Sequence, residues 1–192
     1  MDDSVDNRIA VAIFAGGASR RMGRDKAQLT IEGVPLLERT ARVALEVPAR
    51  VLVVGREAPS DWPLLQVGFV PDDTPGLGPL GGLQTVLQRE AEVLALACDL
   101  PRLTADGLRW LLSQRTATPS PHGLVVDNEG QLEPLFAIYT QACLPLINAN
   151  LAALRRSLHA LIAVGDFAFV PAPPEIAAQL INVNTPEDLA AL

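Results

Sequence analysis

A continuous apolar run near the amino terminus, Ile9 to Phe14, ends at three small residues, Ala15, Gly16 and Gly17. Because the run is uninterrupted rather than alternating, it predicts a strand buried on both faces, as in a parallel sheet. The lack of bulk after the strand allows another molecule to lie against bare backbone. Successive N–H groups in such a turn can point inward and form a nest for an anion. The stretch therefore predicts an α/β domain with an anion site after its first strand.

Four basic residues follow this turn within seven positions: Arg20, Arg21, Arg24 and Lys26. Lys26 is the only lysine in the sequence, and the other fourteen basic residues are arginine. An ammonium is a compact charge that fits among phosphate oxygens, whereas a guanidinium is a wide planar fork. Composition bias alone would also leave a single lysine. Its position beside the glycine turn and three arginines nevertheless favours a phosphate contact.

Two common phosphate-binding loops are excluded, because the sequence has neither G-x-x-x-x-G-K-[ST] nor a G-x-G-x-x-G after the strand. The pattern that remains, A-G-G-x-S-R-R-M-G-x-D-K after an apolar residue, resembles the nucleotidyltransferase loop of the molybdenum cofactor guanylyltransferases. The Gly16-Gly17 pair favours this guanylyl branch over relatives with an A-A-G loop. Phe14 stands where leucine is usual, and Val53–Gly55 lacks an asparagine that the family often uses to contact the nucleotide.

The rest of the chain bears on fold class and location. The resemblance covers nearly all of it and implies a three-layer, Rossmann-like α/β fold with a mostly parallel central sheet, which the alternation of strands and helices also predicts. With 192 residues, 49% of them hydrophobic, we expect one domain over residues 1–192, with residues 1–7 as a flexible tail. The acidic amino terminus and the lack of a run of ~18 apolar residues favour a cytoplasmic protein.

The charge and the cysteines exclude some functions. A net charge of −7 argues against a broad nucleic-acid-binding face, while the local basic cluster still suits a small anionic ligand. Cys98 and Cys143 have no metal-binding spacing, so we expect two buried free thiols. Without G-x-G-x-x-G, a dinucleotide-binding oxidoreductase is not expected either.

A turn rich in glycine and proline follows a third predicted strand, Gln66–Val70. It begins with Pro71, Asp72, Asp73 and Thr74 and continues as P-G-L-G-P-L-G-G. It resembles the family's second signature, an aspartate followed by P-G-x-G-P-L-x-G. The resemblance implies that one carboxylate and the backbone near Gly78 hold the nucleoside; Asp72 aligns best with the family's aspartate, and Asp73 is the alternative. A tight strand-to-helix connection that binds nothing would also explain these residues.

Asp99 directly follows a fourth predicted strand, Glu92–Cys98. A carboxylate buried there without a partner would be costly, but at the carboxyl edge of an open α/β sheet it faces the ligand crevice. Capping of the next helix is better assigned to Thr104. The resemblance gives the Asp99 position the Mg²⁺-binding aspartate of the family. Mg²⁺ commonly bridges a carboxylate and triphosphate oxygens.

Two asparagines, Asn182 and Asn184, lie in a segment that resembles the family's N-x-N-T-P-E-D-L sequence. As alternate residues of a predicted strand end they would share one face, and we expect them to contact the acceptor substrate. Glu133 precedes a P-L-F-A-I-Y segment that also resembles the family, and it is a further candidate for facing the acceptor. A packed strand explains that segment at least as well.

The resemblance implies transfer of GMP from GTP to the terminal phosphate of molybdopterin or of its molybdenum form, with release of pyrophosphate. The attacking group is already an anion, so catalysis would consist of positioning and charge neutralisation. Backbone N–H groups near Ala15 to Ala18 would hold the phosphates, and Phe14, Ala15, Gly16 and Gly17 would contact the nucleotide. Arg20 and Lys26 would stabilise charge, and Asp99 would hold the metal.

Two other functions fit part of this pattern. One is a nucleotidyltransferase of the same fold that uses CTP or a sugar-phosphate acceptor. The other is a non-catalytic nucleotide-binding protein that hands cofactor to an enzyme, although a binder needs no metal site, and Lys26 and Asp99 are both present. The expected partners are GTP, molybdopterin, cofactor-synthesis proteins and recipient molybdoenzymes, and neither nucleic acid nor a membrane is expected.

Overall fold

The computed structural model describes residues 9–16 and 26–183, with Lys26 described in its backbone only. The predicted flexible tail over residues 1–7 lies outside the described residues. The strands are β1 (Ile9–Phe14), β2 (Thr30–Ile31), β3 (Val34–Pro35), β4 (Arg50–Val54), β5 (Gly68–Val70), β6 (Glu92–Ala97), β7 (Gly123–Asn128), β8 (Gln131–Thr140) and β9 (Ala168–Pro171). The α-helices are α1 (Leu36–Ala44), α2 (Gly78–Leu87), α3 (Ala105–Ala117), α4 (Leu144–Ala152), α5 (Leu158–Ile162) and α6 (Pro174–Ala177).

Seven of these strands form the central sheet, in the order β5-β4-β1-β6-β8-β7-β9. The first four in this order are parallel to one another. β8 runs antiparallel to both of its neighbours, and β9 is parallel to β7. The prediction of a mostly parallel sheet is therefore confirmed. The reversal at β8 brings its beginning to the edge where β6 ends, and this edge carries the candidate site.

Apolar side chains cover both faces of the sheet, as the uninterrupted run of β1 predicts. Val11 and Ile13 join the hydrophobic cluster that contains the buried faces of α1 and α3. Ala12 and Phe14 join the cluster that contains those of α2, α4 and α5. The sheet is thus the middle of three layers, and the predicted three-layer architecture is confirmed.

The apolar pattern of the sequence predicts one helix over residues 34–47 and another over about residues 141–162, and neither is observed over its full length. The helix predicted from Val34 begins at Leu36, because Val34–Pro35 pairs with Thr30–Ile31 across a turn in which Glu32 and Gly33 have φ of 53° and 80°. The helix predicted from residue 141 to residue 162 is divided into a 3₁₀ turn, α4 and α5. The break follows Ala152, where Leu154 adopts a φ of 59°.

Expectations from composition can be compared with the described part of the chain. Both cysteines are free and buried, as predicted, and burial raises the pKa of the Cys143 thiol to about 12. None of the helices described is long and apolar enough to cross a bilayer.

Candidate functional site

The carboxyl ends of four parallel strands meet at one edge of the sheet. Phe14, the last residue of β1, lies opposite Val54 of β4 and opposite Ala97 of β6, and Val54 in turn lies opposite Val70 of β5. The glycine turn and the two aspartate-containing segments predicted from the sequence follow these strand ends. The register therefore brings the described parts of all three segments to one edge, where open α/β sheets bind ligands.

The turns after β1 and β4 touch through their glycines. A Cβ atom on Gly16 would lie 2.8 Å from both the Cα and the carbonyl oxygen of Gly55. Gly55 itself has a φ of +88°, which side chains rarely tolerate. The N–H groups of Ala15 and Gly55 donate to the carbonyls of Val54 and Val70, at 3.1 and 2.9 Å. Position 55 therefore has no room for the asparagine that the family often carries in this segment, and the contact of Gly55 with Gly16 was not predicted from the sequence.

Asp72 lies beside this glycine contact with one carboxylate oxygen buried. Among the described residues no group donates a hydrogen bond to its Oδ1 atom. Cβ atoms on Gly82 and Gly55 would lie 3.3 and 3.6 Å from this oxygen, so side chains at these two positions would fill the space beside the oxygen. Burial, together with the negative charge of Asp73, raises the pKa of Asp72 above its usual range. The orphaned acceptor fits a hydroxyl or N–H donor of a ligand.

Asp73 differs from its neighbour because both of its carboxylate oxygens are paired. The Arg89 guanidinium donates to them at 2.9 and 2.8 Å, and the backbone N–H of Asp73 donates to the Thr85 hydroxyl at 3.1 Å. The hydrogen bond and charge of Arg89 hold the pKa of Asp73 below its usual range. Of the two aspartates left open by the sequence, Asp72 is the one with a carboxylate oxygen that no described group contacts by a hydrogen bond.

Asp99 is positioned through backbone contacts on two sides. The buried Thr40 hydroxyl, which also lies 3.0 Å from the Leu36 carbonyl, lies 3.3 Å from the carbonyl of Cys98. The N–H of Val183 donates to the carbonyl of Asp99 at 3.0 Å. Helix α1 and the carboxyl-terminal segment thus both contact the turn that carries the predicted metal ligand.

A cleft of about 660 Å³ opens beside Asp99. Its walls include Gly78 and Asn182, two further predicted site residues, together with Glu133 and Arg156. The Arg156 guanidinium donates to the carbonyl of Gly76 at 3.2 Å, which connects the turn before α5 with the glycine-rich turn before α2. Arg156 was not predicted; its position after the helix break was the only available signal. The cleft therefore joins segments of the chain that are far apart in sequence.

Glu133 adds a second carboxylate to the Asp99 side of this cleft. Burial raises its pKa, a hydrogen bond with the Asn128 side chain opposes that rise, and the negative charge of Asp99 adds to it. The expectation that Glu133 faces a ligand space is consistent with this position.

Several predicted residues cannot be placed. Gly17, Arg20 and Asn184 lie outside the described residues, and the backbone of Lys26 begins a 3₁₀ turn over residues 26–28. Residues 181–183 do not form a strand, so the prediction that this segment is a strand end with Asn182 on one of its faces is wrong. The segment is held instead by its hydrogen bond to the turn after β6.

The oxygen donors at this edge suit a hard divalent cation. Across residues 9–16 and 26–183, no group of three or more His, Cys, Asp and Glu side chains is arranged to hold a metal ion. Mg²⁺ does not require such a group, because it commonly takes one or two carboxylates and completes its coordination with phosphate oxygens and water. Asp99, which lines the cleft, fits that requirement.

Comparisons with known proteins agree on one family. The model described as MobA-like NTP transferase domain matches residues 11–166. A probable molybdenum cofactor guanylyltransferase of Opitutus terrae is 35% identical over 189 residues, covering 94% of this chain and 92% of the relative. A protein of the same description from Synechococcus elongatus is 37% identical over 190 residues, covering 95% and 97%.

Solved structures share the fold at lower identity. Molybdopterin-guanine dinucleotide biosynthesis protein A of Archaeoglobus fulgidus superposes with a TM-score of 0.80 at 21% identity, over 95% of each chain. The 2-C-methyl-D-erythritol 4-phosphate cytidylyltransferase of Thermus thermophilus superposes with a TM-score of 0.64 at 15% identity, over 94% of this chain and 95% of that one. The predicted Rossmann-like nucleotidyltransferase fold is confirmed.

Proposed function

We propose, from the premise that this chain belongs to the MobA-like NTP transferase family, that it is a molybdenum cofactor guanylyltransferase. It transfers GMP from GTP to the terminal phosphate of molybdopterin or of its molybdenum form and releases pyrophosphate. One observation carries the proposal: Asp72, with its orphaned acceptor, and Asp99 follow strands that end at the same edge of the sheet, and Asp99 lines an open cleft of about 660 Å³. Such an arrangement offers one side to a nucleotide and the other to an acceptor.

The nucleotide side is formed by backbone with little bulk. The contact between Gly16 and Gly55 leaves the strand ends open to a ligand, and Asp72 offers its buried Oδ1 atom to a donor on the nucleoside. Arg20 and Lys26 stabilise charge on the α-phosphate and on the departing pyrophosphate. This assignment rests on the sequence pattern and on the general behaviour of phosphoryl transfer, in which positioning and charge neutralisation dominate.

Mg²⁺ is the proposed metal, held by the Asp99 carboxylate. When bound, it would neutralise negative charge on phosphate oxygens. The protein holds the turn that carries Asp99 through the Val183 N–H group and the Thr40 hydroxyl, which limits the movement of the carboxylate. A fixed ligand costs less reorganisation when charge develops during the reaction.

The acceptor occupies the part of the cleft lined by Glu133, Arg156 and Asn182, while Gly78, which also lines the cleft, remains the proposed nucleoside contact. Its attacking phosphate oxygen is already ionised, so the chain needs no general base there. Arg156 contributes positive charge to the cleft wall, and Asn182 offers an uncharged amide beside it. GTP as substrate also favours action in the cytoplasm, with cofactor-synthesis proteins and recipient molybdoenzymes as partners.

Nucleotide preference tests this function directly. GTP with Mg²⁺ is expected to raise the melting temperature more than CTP or ATP with Mg²⁺, because a ligand at 100 times its Kd adds about 2.7 kcal/mol of stability. Pyrophosphate release is expected with GTP plus molybdopterin. Release with CTP instead would favour the cytidylyl alternative, and nucleotide binding without release would favour the non-catalytic one.

The two neighbouring aspartates provide a matched pair of variants. Asp72→Asn is expected to weaken GTP binding by about tenfold or more, because a charged acceptor of a hydrogen bond is lost. It is also expected to stabilise the ligand-free protein at pH 7. Because the pKa of Asp72 is raised in the folded protein, folding disfavours the ionised carboxylate. This penalty to stability is absent below pH 3.8, the ordinary pKa of the group, and it grows as the pH rises toward the raised pKa.

Asp73→Asn is expected to destabilise the protein without weakening GTP binding. It breaks the ion pair with Arg89, so the melting temperature should fall while the Kd for GTP is unchanged. Calorimetric titration and thermal melts of both variants are the measurements. An equal loss of GTP affinity in the two variants would show that Asp72 has no special role.

A further inference from the structure

Glu133 lies on the acceptor side of Asp99. In the sheet, β6 separates β1, which leads into the predicted phosphate loop, from β8, which carries Glu133. Neighbouring strands are about 4.8 Å apart, so β8 lies about 10 Å from β1. The pairing of β6 with β8 ends at Leu96 opposite Phe136, and Asp99 and Glu133 each come three residues beyond that pair. A nucleotide with its α-phosphate at Asp99 therefore leaves Glu133 to the acceptor.

The Glu133 carboxylate is partly buried, and apolar side chains form the neighbouring walls of the cleft. The side chain is half-buried, lines the cleft together with Asp99, and lies close enough to the Asn128 side chain on the neighbouring strand for a hydrogen bond. An ionised carboxylate has about four lone-pair sites, so this bond leaves acceptor capacity for a ligand. The apolar residues Leu100, Leu135 and Leu158 line the same cleft and suit the faces of a flat ring.

A pterin ring has the complementary chemistry. Its 2-amino group and its N3–H group are adjacent donors on one edge, and they point in nearly the same direction. A carboxylate accepts two parallel hydrogen bonds of this kind, as it does from a guanidinium. A phosphate, by contrast, would be repelled by Glu133. We propose that Glu133 recognises the pterin ring of the acceptor through these two donors, a role that rests on the proposed transfer to molybdopterin.

Steady-state kinetics with Glu133→Gln test this role. Glu129→Gln is the matched control, because it removes the same charge from the exposed tip of the same hairpin. At saturating GTP and Mg²⁺, Glu133→Gln is expected to raise the KM for molybdopterin about 10- to 100-fold, as for loss of a hydrogen bond to a charged group. The KM for GTP and the half-saturating Mg²⁺ concentration are expected to stay at wild-type values, and Glu129→Gln to behave as wild type.

A binding measurement separates this inference from the proposed activity. 6-Methylpterin and 6-methyllumazine, which has a carbonyl in place of the 2-amino group, are titrated into the wild type and the same two variants. The wild type and Glu129→Gln are expected to bind the pterin more tightly, while Glu133→Gln loses or reverses this preference, because its amide N–H can donate to the lumazine carbonyl. Thermal melts confirm folding, and Glu133→Asp, which keeps the charge on a shorter side chain, should retain part of the preference.

The outcomes can be told apart. A wild type that prefers the pterin but forms no dinucleotide contradicts the proposed function and leaves the ring contact supported. Equal binding of the two compounds by the wild type, or an unchanged preference in Glu133→Gln, overturns the inference. A shift confined to the Mg²⁺ dependence of Glu133→Gln also overturns it and assigns Glu133 to the metal.

Discussion

Replacing Asp99 with asparagine is expected to lower kcat/KM by about 10²–10⁴, because loss of the metal carboxylate removes several kcal/mol of charge stabilisation. The Mg²⁺ concentration needed for half-maximal rate should rise in the same variant. The amide has nearly the same shape as the carboxylate, so the backbone contacts around it are expected to persist. Initial rates of pyrophosphate release across a Mg²⁺ titration measure both effects.

Asp61→Asn is the control for this variant, since Asp61 is an exposed aspartate that takes no part in the proposed site. It should leave both the rate and the Mg²⁺ dependence at wild-type values. An Asp99→Asn enzyme that keeps its rate and its Mg²⁺ midpoint would falsify the assignment of Asp99 as the metal ligand. A lower rate with an unchanged midpoint would also contradict that assignment.

Lys26→Ala is expected to lower kcat by about 10²–10³, the loss seen when a donor aimed at developing charge is removed. In the proposed role, the ammonium group would stabilise charge that increases as the α-phosphate is attacked and pyrophosphate departs. Single-turnover measurements of GMP transfer at saturating GTP isolate this step from binding.

Lys26→Arg is the informative companion of this variant, because it keeps the positive charge and changes its shape. The compact-charge interpretation predicts that arginine restores only part of the lost rate. Full activity of Lys26→Arg would show that charge alone is sufficient. Wild-type turnover of Lys26→Ala would rule out the phosphate contact itself.

Much of the fold could be predicted because its signals are local. The uninterrupted apolar run of Ile9–Phe14 predicts a strand buried on both faces, and that strand and its two buried neighbours are observed. Thr104 caps α3 as predicted, with its hydroxyl accepting a hydrogen bond from the Gly107 N–H group. The hairpin of β2 and β3 was missed, because two-residue strands leave no apolar period to detect.

The candidate site was predictable in its parts and not in its connections. The aspartate pair could be located in the sequence, yet the difference between its members depends on Arg89, which follows α2 and lies sixteen residues from Asp73. The need for glycine at position 55 arises from contact with Gly16, which belongs to a different turn. The position of Glu133 beside Asp99 depends on the antiparallel insertion of β8 next to β6.

The sequence by itself determined which segments become strands, where the first strand ends in small residues, and which charged residues follow the strand ends. These are properties of neighbouring residues, and hydrophobic pattern and backbone sterics record them directly. Only the tertiary structure decided which of two adjacent carboxylates is left without a partner, which glycines touch, and which acidic side chain shares the cleft with Asp99. Those outcomes depend on strand order and on contacts between distant segments, which local sequence does not specify.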